Sequence, residues 1–159
     1  MSKYELTKEA STYLGNRVYR IRACKDIPTL RIRKGDLGGY VASEKNLSQE
    51  GLCWVGNDAV VYGNATVFGD ALVYNRAVIS GDAVVCGNAR VEGFAEVRDK
   101  ALVCGNAEVL GDSLIDHAAV VNGDAVLIND TVHNAYFQKE PLSFFDYCEV
   151  EKVRRGERR

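Results

Sequence analysis

A chain of 159 residues, 47% hydrophobic and 26% charged, can bury one core and remain soluble, which bounds it to a single domain with small appendages. No apolar run approaches the roughly 18 residues of a membrane span, and the opening MSKYELTKEA is no signal peptide, so the expected compartment is the cytoplasm. The formal charge of −2 is unevenly spread: residues 17–34 carry seven Lys/Arg and one Asp, residues 150–159 carry five basic and two acidic side chains, and the body between them is acidic.

In chain order, Tyr19, Ile21 and Ala23 alternate with Arg20 and Arg22, and Leu30 and Ile32 alternate with Arg31 and Arg33. Side chains on a strand switch face at every residue, so this predicts two strands around the loop CKDIP, one face apolar and the other basic. KGDLGGYV (34–41) reads as a glycine-rich connection. It lacks both GxxxxGK[ST] and a strand–GxGxxG–helix setting, so it is not a phosphate loop. Residues 1–50 are taken together as an N-terminal cap with a basic β-hairpin.

From residue 51 the chain repeats every six residues, and such periods are the mark of a solenoid. The column from Val55 to His133 in steps of six is aliphatic everywhere except His133. The column two residues earlier, Cys53 to Thr131, is alanine except for Cys53, Ser113 and Thr131. Two residues after the aliphatic sits mostly glycine, as at Gly63, Gly69 and Gly81, usually followed by Asp or Asn. Each unit is thus a short strand with a small and an aliphatic side chain facing inward, then a corner of residues that tolerate a left-handed backbone. The hexads of residues 51–134 run on without insertion or deletion, and three faces per turn give an 18-residue rung. Residues 135–159, aromatic and then basic, follow as a C-terminal cap or docking segment with a tail.

The hexads resemble the hexapeptide-repeat, left-handed parallel β-helix family, although the glycine stands two residues after the aliphatic rather than one. YRIRA (19–23), KGDLGGYV and EKNLSQEGLCWV (44–55), placed ahead of such an array, resemble the small β-helix proteins encoded by phages and prophages. The expected fold is all-β: a left-handed parallel β-helix of about five triangular rungs with a small N-terminal β cap and a C-terminal capping segment. The hand and the triangular section are what the resemblance implies.

Acyltransferases of this family use a histidine as general base and usually a long loop that breaks the repeat. Here His117 sits beside Asp116 at a corner normally held by glycine, and no loop interrupts the array, so His117 reads as a solvated corner residue. His133 reads as the terminator of the array. Carbonic anhydrases of this fold need three histidines on zinc, and two histidines at unlike repeat positions do not match. Five cysteines without a CxxC pair point to reduced thiols rather than disulfides or zinc. Stacked threonines for ice binding are lacking. No catalytic residue, cofactor or metal ligand is expected.

Sorting outward residues by rung gives one nearly uncharged face: Thr66, Phe68, Val84, Cys86, Leu102, Cys104 and Val120. It is expected to be a self-association face of a dimer or trimer, in competition with a partner site or with burial beneath the terminal segments. Asn88 and Asn106, one rung apart, form an expected amide ladder. The basic head, Arg17, Arg20, Arg22, Arg31, Arg33 and Lys34, is expected to meet an acidic protein surface or nucleic acid, the latter without a recognition motif. The functional expectation is a non-enzymatic protein-binding module. From the phage resemblance, it is sharpened to an inhibitor of a host antiviral defence system, anti-CRISPR-like, whose partner is a host protein or protein–nucleic-acid complex. The alternatives are an acyltransferase with a site at a subunit boundary near His117, and a sponge for a nucleotide signal held between subunits.

Overall fold

The structure, a computed structural model, describes residues 2–138. The chain opens with β1 (Tyr4–Tyr13), β2 (Asn16–Ala23) and β3 (Leu37–Val41), β2 running antiparallel to both of its neighbours. Two- and three-residue strands then recur along the chain as a parallel β-solenoid of about five turns. One sheet stacks β4 (Trp54–Val55), β7 (Leu72–Val73), β10 (Arg90–Val91), β13 (Glu108–Leu110) and β16 (Val126–Ile128). A second stacks β6 (Thr66–Val67), β9 (Val84–Val85), β12 (Leu102–Val103), β15 (Val120–Asn122) and β18 (Tyr136–Gln138). The third places β5 (Val60–Val61), β8 (Val78–Ile79), β11 (Glu96–Val97), β14 (Leu114–Asp116) and β17 (Thr131–His133) beside β3.

The sequence columns explain the coil. Valines and isoleucines of the six-step column, such as Val73, Ile79 and Val97, are fully buried, as are Ala71, Ala77 and Ala95. The small and aliphatic inward residues of each unit leave a narrow interior that the three sheets fill as one continuous core. Each strand pairs with the one 18 residues later, as in Trp54↔Leu72 and Arg90↔Glu108. The corners are left-handed whatever residue occupies them: Gly63 (φ 66), Asn75 (φ 59), Asp99 (φ 61) and His117 (φ 56) all stand in one column. Glycine carries no steric cost there, and Asn or Asp can offset theirs with a local hydrogen bond. Asn75 Oδ1 accepts from Gly93 N at 3.1 Å, and Asp99 Oδ2 accepts from His117 N at 3.0 Å.

The 18-residue step fails in the last turn. Ile115 pairs with Val132 and Val121 with Phe137, so the corners Asn129 and Asn134 stand five residues apart. Val132, not His133, takes the inward place, and the coil continues through β18 instead of ending at residue 134. The expected run of unbroken hexads is corrected accordingly. The expected aromatic cap and basic tail fall mainly on residues 139–159, outside the described residues.

The N-terminal segment also differs from expectation. Residues 28–30 form a 3₁₀ turn rather than a strand, with Pro28 supplying no N–H and Arg31 (φ 58) closing the turn. The strand partner of β2 is β1, and the glycine-rich connection is itself β3. Its glycines permit close approach: a Cβ at Gly39 would lie 2.6 Å from the Ala59 carbonyl oxygen.

In this coil alternate backbone N–H groups donate to the following turn, as Trp54 N does to Ala71 O, so half of the carbonyls look to the turn before for a donor. First-turn carbonyls therefore need donors from elsewhere. The buried Lys3 Nζ donates to Cys53 O (2.7 Å), Glu50 O (3.2 Å) and Gly51 O (3.3 Å). Asn46 Nδ2 donates to Ala65 O and Gly63 O, and β3 covers the third sheet through Tyr40 N→Ala59 O. Among the described residues no helix is long and apolar enough to cross a membrane.

Candidate functional site

The column just after the inward aliphatic of the third sheet runs Arg98, Asp116, His133 in successive turns, because Asp116 pairs with His133 in the ladder. His117, at the left-handed corner after β14, turns its ring back toward the same carboxylate. His117 Nδ1 lies 2.9 Å from Asp116 Oδ1, and His133 Nδ1 makes a short hydrogen bond to that same oxygen. A carboxylate only accepts, so each Nδ1 carries the proton and each Nε2 faces away. Arg98 Nη2 lies 3.4 Å from Asp116 Oδ2 and Nη1 3.6 Å from Glu96. The two imidazole rings meet at 89° with centroids 5.6 Å apart.

Burial acts to raise the Asp116 carboxyl, but the hydrogen bonds and charges of His117 and His133 outweigh it and hold the group below the usual carboxylate range. The hydrogen bond to Asp116, and then its charge, raises His117; Asp99 adds to this and Arg98 opposes it. Asp116 is buried, whereas both histidines remain more than half exposed. One ligand-capable atom from each residue lies within 4.8 Å of the others. Sequence reading separated these residues because it counted His133 as six steps beyond Leu127. The spacing of five between Asn129 and Asn134 was the signal that could have joined them.

The basic head divides. Arg20 is consumed within the chain, bonded to Gly38 O and Asn57 O, stacked on Tyr40 at 4.2 Å, and paired with Glu9 and Asp58. Arg22 grips Glu5 at 2.5 Å, and Arg17 lies over Tyr19. Arg31, Arg33 and Lys34 stand exposed on the loop between β2 and β3. On the uncharged face Leu102 and Val120 are each 2% exposed, Thr66, Cys86 and Cys104 are buried, and Phe68 and Val84 are half-buried. The amide ladder is present and longer than expected, Asn88 donating to Asn106 and Asn106 to Asp124.

A hollow that sequence reading missed lies where the β1–β2 tip crosses the third sheet, with Tyr13 5.7 Å from Tyr62. Its volume is about 520 Å³, and Val18, Tyr40, Val60, Arg76, Phe94 and Glu96 line it. Phe94 is 60% exposed, and it shares with Arg76 the wall of an adjoining hollow of about 390 Å³. No family model matches the chain, and no curated protein matches it in sequence.

Proposed function

We propose that the protein is a non-enzymatic binding module that seats a segment of a partner protein in the hollow beneath the β1–β2 tip. One observation carries this reading. Phe94 and Arg76 stand side by side between two adjoining hollows, an exposed aromatic next to a guanidinium that has no ion pair among the described residues. Aromatic and arginine side chains are the residues on which binding energy concentrates at protein interfaces. The complementary segment presents an apolar side chain to Phe94, Val60 and Val78 and a carboxylate to Arg76. The exposed Arg31, Arg33 and Lys34 lie beyond the other end of β2 and add long-range attraction to an acidic partner.

The resemblance to phage-encoded β-helix proteins supports the sharper form, an inhibitor that covers a working surface of a host antiviral defence complex. Assembly into a dimer or trimer belongs to the same proposal. Val126 and Ile128 of β16, both more than half exposed, supply apolar area for a contact between copies. A second reading draws on a different observation: Asp116 orients His117 with Nε2 outward, as a general base for acyl transfer requires. Turnover of an acyl-CoA donor, lost in His117→Ala, is its test.

The binding proposal is tested by affinity capture from nuclease-treated bacterial lysate with wild type, Phe94→Ala/Arg76→Glu and Arg31→Glu/Arg33→Glu/Lys34→Glu. A partner lost with the first variant and weakened in a salt-dependent manner by the second supports it. A partner held equally by all three proteins, or by none, overturns it.

A further inference from the structure

We propose that Asp116, His117 and His133 bind one divalent first-row transition ion of the zinc class, which ties β17 to β14 at the end where the repeat shortens. The reading goes beyond the proposed function, and none of its three ligands lines the groove.

The donor set decides the kind of ion. Two imidazole nitrogens and one carboxylate oxygen suit zinc, cobalt, nickel or iron better than magnesium or calcium, which favour all-oxygen shells. The donors already converge: both Nδ1 atoms point at Asp116 Oδ1, and all three ligand atoms lie within 4.8 Å. Tetrahedral donors at 2.0–2.1 Å from zinc stand ~3.4 Å from one another. His117 Nδ1, at 2.9 Å from the oxygen, would therefore retreat by about half an ångström, which an exposed ring does easily. The ion would take the place of the Nδ1 protons, each neutral imidazole carrying its proton on Nε2 instead.

The carboxylate is the fixed member. It is buried, and Arg98 holds Oδ2, leaving Oδ1 for the ion in the manner of an outer-shell partner that orients a ligand. Arg98 would also repel a cation, but the surroundings offset this. Glu96 pairs with Arg98 at 3.6 Å, and Asp99 lies under the His117 amide at 3.0 Å. With Asp116, Asp99 and Glu96 against Arg98 and a dication, the neighbourhood is neutral. The half-exposed imidazoles leave an entry path, and the remaining coordination positions go to water.

Full-length protein stripped with a chelator would be titrated with Zn²⁺ by calorimetry and with Co²⁺ by visible absorption. The expected results are one ion per chain, a Co²⁺ spectrum of a nitrogen–oxygen site without a thiolate charge-transfer band, and a higher Tm with zinc. Asp116→Asn, His117→Ala and His133→Ala should each weaken binding at least about tenfold, and Arg98→Gln by a smaller factor. Circular dichroism and the ion-free Tm establish that each variant is folded, and Asp116→Asn, a near-isostere, keeps the test valid should an alanine variant fail to fold. Phe94→Ala should bind zinc as wild type does, so the site stands or falls apart from the groove. No binding, affinity unchanged by all three ligand variants, or a Co²⁺ spectrum dominated by a thiolate charge-transfer band would overturn the proposal.

Discussion

His133 rests on Asp116 although the two residues are 17 apart in a coil whose preceding turns advance by 18. One missing residue in the corner before β17 moves Val132 into the core and His133 onto the carboxylate of the turn before. The shortening thus creates the side-chain cluster and keeps the core continuous in a single step.

That register has a direct consequence for stability. Val132 is 7% exposed, so Val132→Ala removes two buried methyl groups and should cost about 2 kcal/mol, allowing ~0.8 kcal/mol per group plus the cavity left behind. His133→Ala, at an exposed position, takes one hydrogen bond from the buried Asp116 carboxylate and should cost about 1 kcal/mol in the ion-free protein. Urea unfolding in the presence of a chelator measures both. The opposite order would restore His133 to the inward column and dissolve the cluster.

Legibility from sequence followed the strength of each local rule. Alternation of Ala and Val with left-handed corners was readable because every unit obeys the same sterics, and the buried columns lie where the period puts them. The shortened turn was not readable by a fixed period, since TVHN satisfies a hexad and a pentad almost equally. β3 was hidden for a different reason: Gly38 and Gly39 look like a loop in isolation, and only the backbone of the first turn, 2.6 Å from their missing Cβ atoms, shows why a strand needs them. The hollow at Phe94 depends on where a hairpin tip lands, which no local pattern encodes.

The corner rule can be tested where neighbouring backbone stands close to the corner. Gly81 has φ +66, and a Cβ there would sit 2.8 Å from Asp99 N and 3.0 Å from Asp99 O. Gly81→Ala should destabilise the protein by at least about 1–2 kcal/mol, the cost of placing an L side chain in the left-handed region. Asn75→Gly removes that cost but also loses the bond to Gly93 N, so it should be nearly neutral. Thermal unfolding of the two variants would separate the terms; equal losses would mean that the side-chain bonds, not the backbone, govern the corners.

Lys3 makes a comparable test at the start of the coil. Lys3→Met retains the aliphatic stem and removes the donors for Cys53 O, Glu50 O and Gly51 O. Unsatisfied buried acceptors cost about 1–3 kcal/mol each, partly relieved by removing the buried charge and admitting water. A net loss of about 2 kcal/mol is expected, read from the urea midpoint. An unchanged midpoint would show that water already serves these carbonyls.

Tyr4 and Cys53, packed beside Lys3, set the alkaline limit. Burial pushes the Tyr4 hydroxyl well above its ordinary 10.0, with the Glu44 and Cys53 charges acting in the same direction. Burial likewise lifts the Cys53 thiol above 9.0, against the opposing charge and hydrogen bond of Lys3. Both groups hold their protons more tightly in the folded chain than in the unfolded one. Their contribution is therefore complete below the ordinary values and falls as pH rises past them. The unfolding free energy should be level in this respect up to about pH 8.5 and then decline, first through Cys53 and then through Tyr4. Cys53→Ala should flatten the first part of the decline. Tyr4→Phe should flatten the second while lowering stability at neutral pH, because the hydroxyl donates to Leu47 O at 2.5 Å. Urea midpoints between pH 7.5 and 11 give both slopes; a decline unaffected by either substitution would place the alkaline limit elsewhere in the coil.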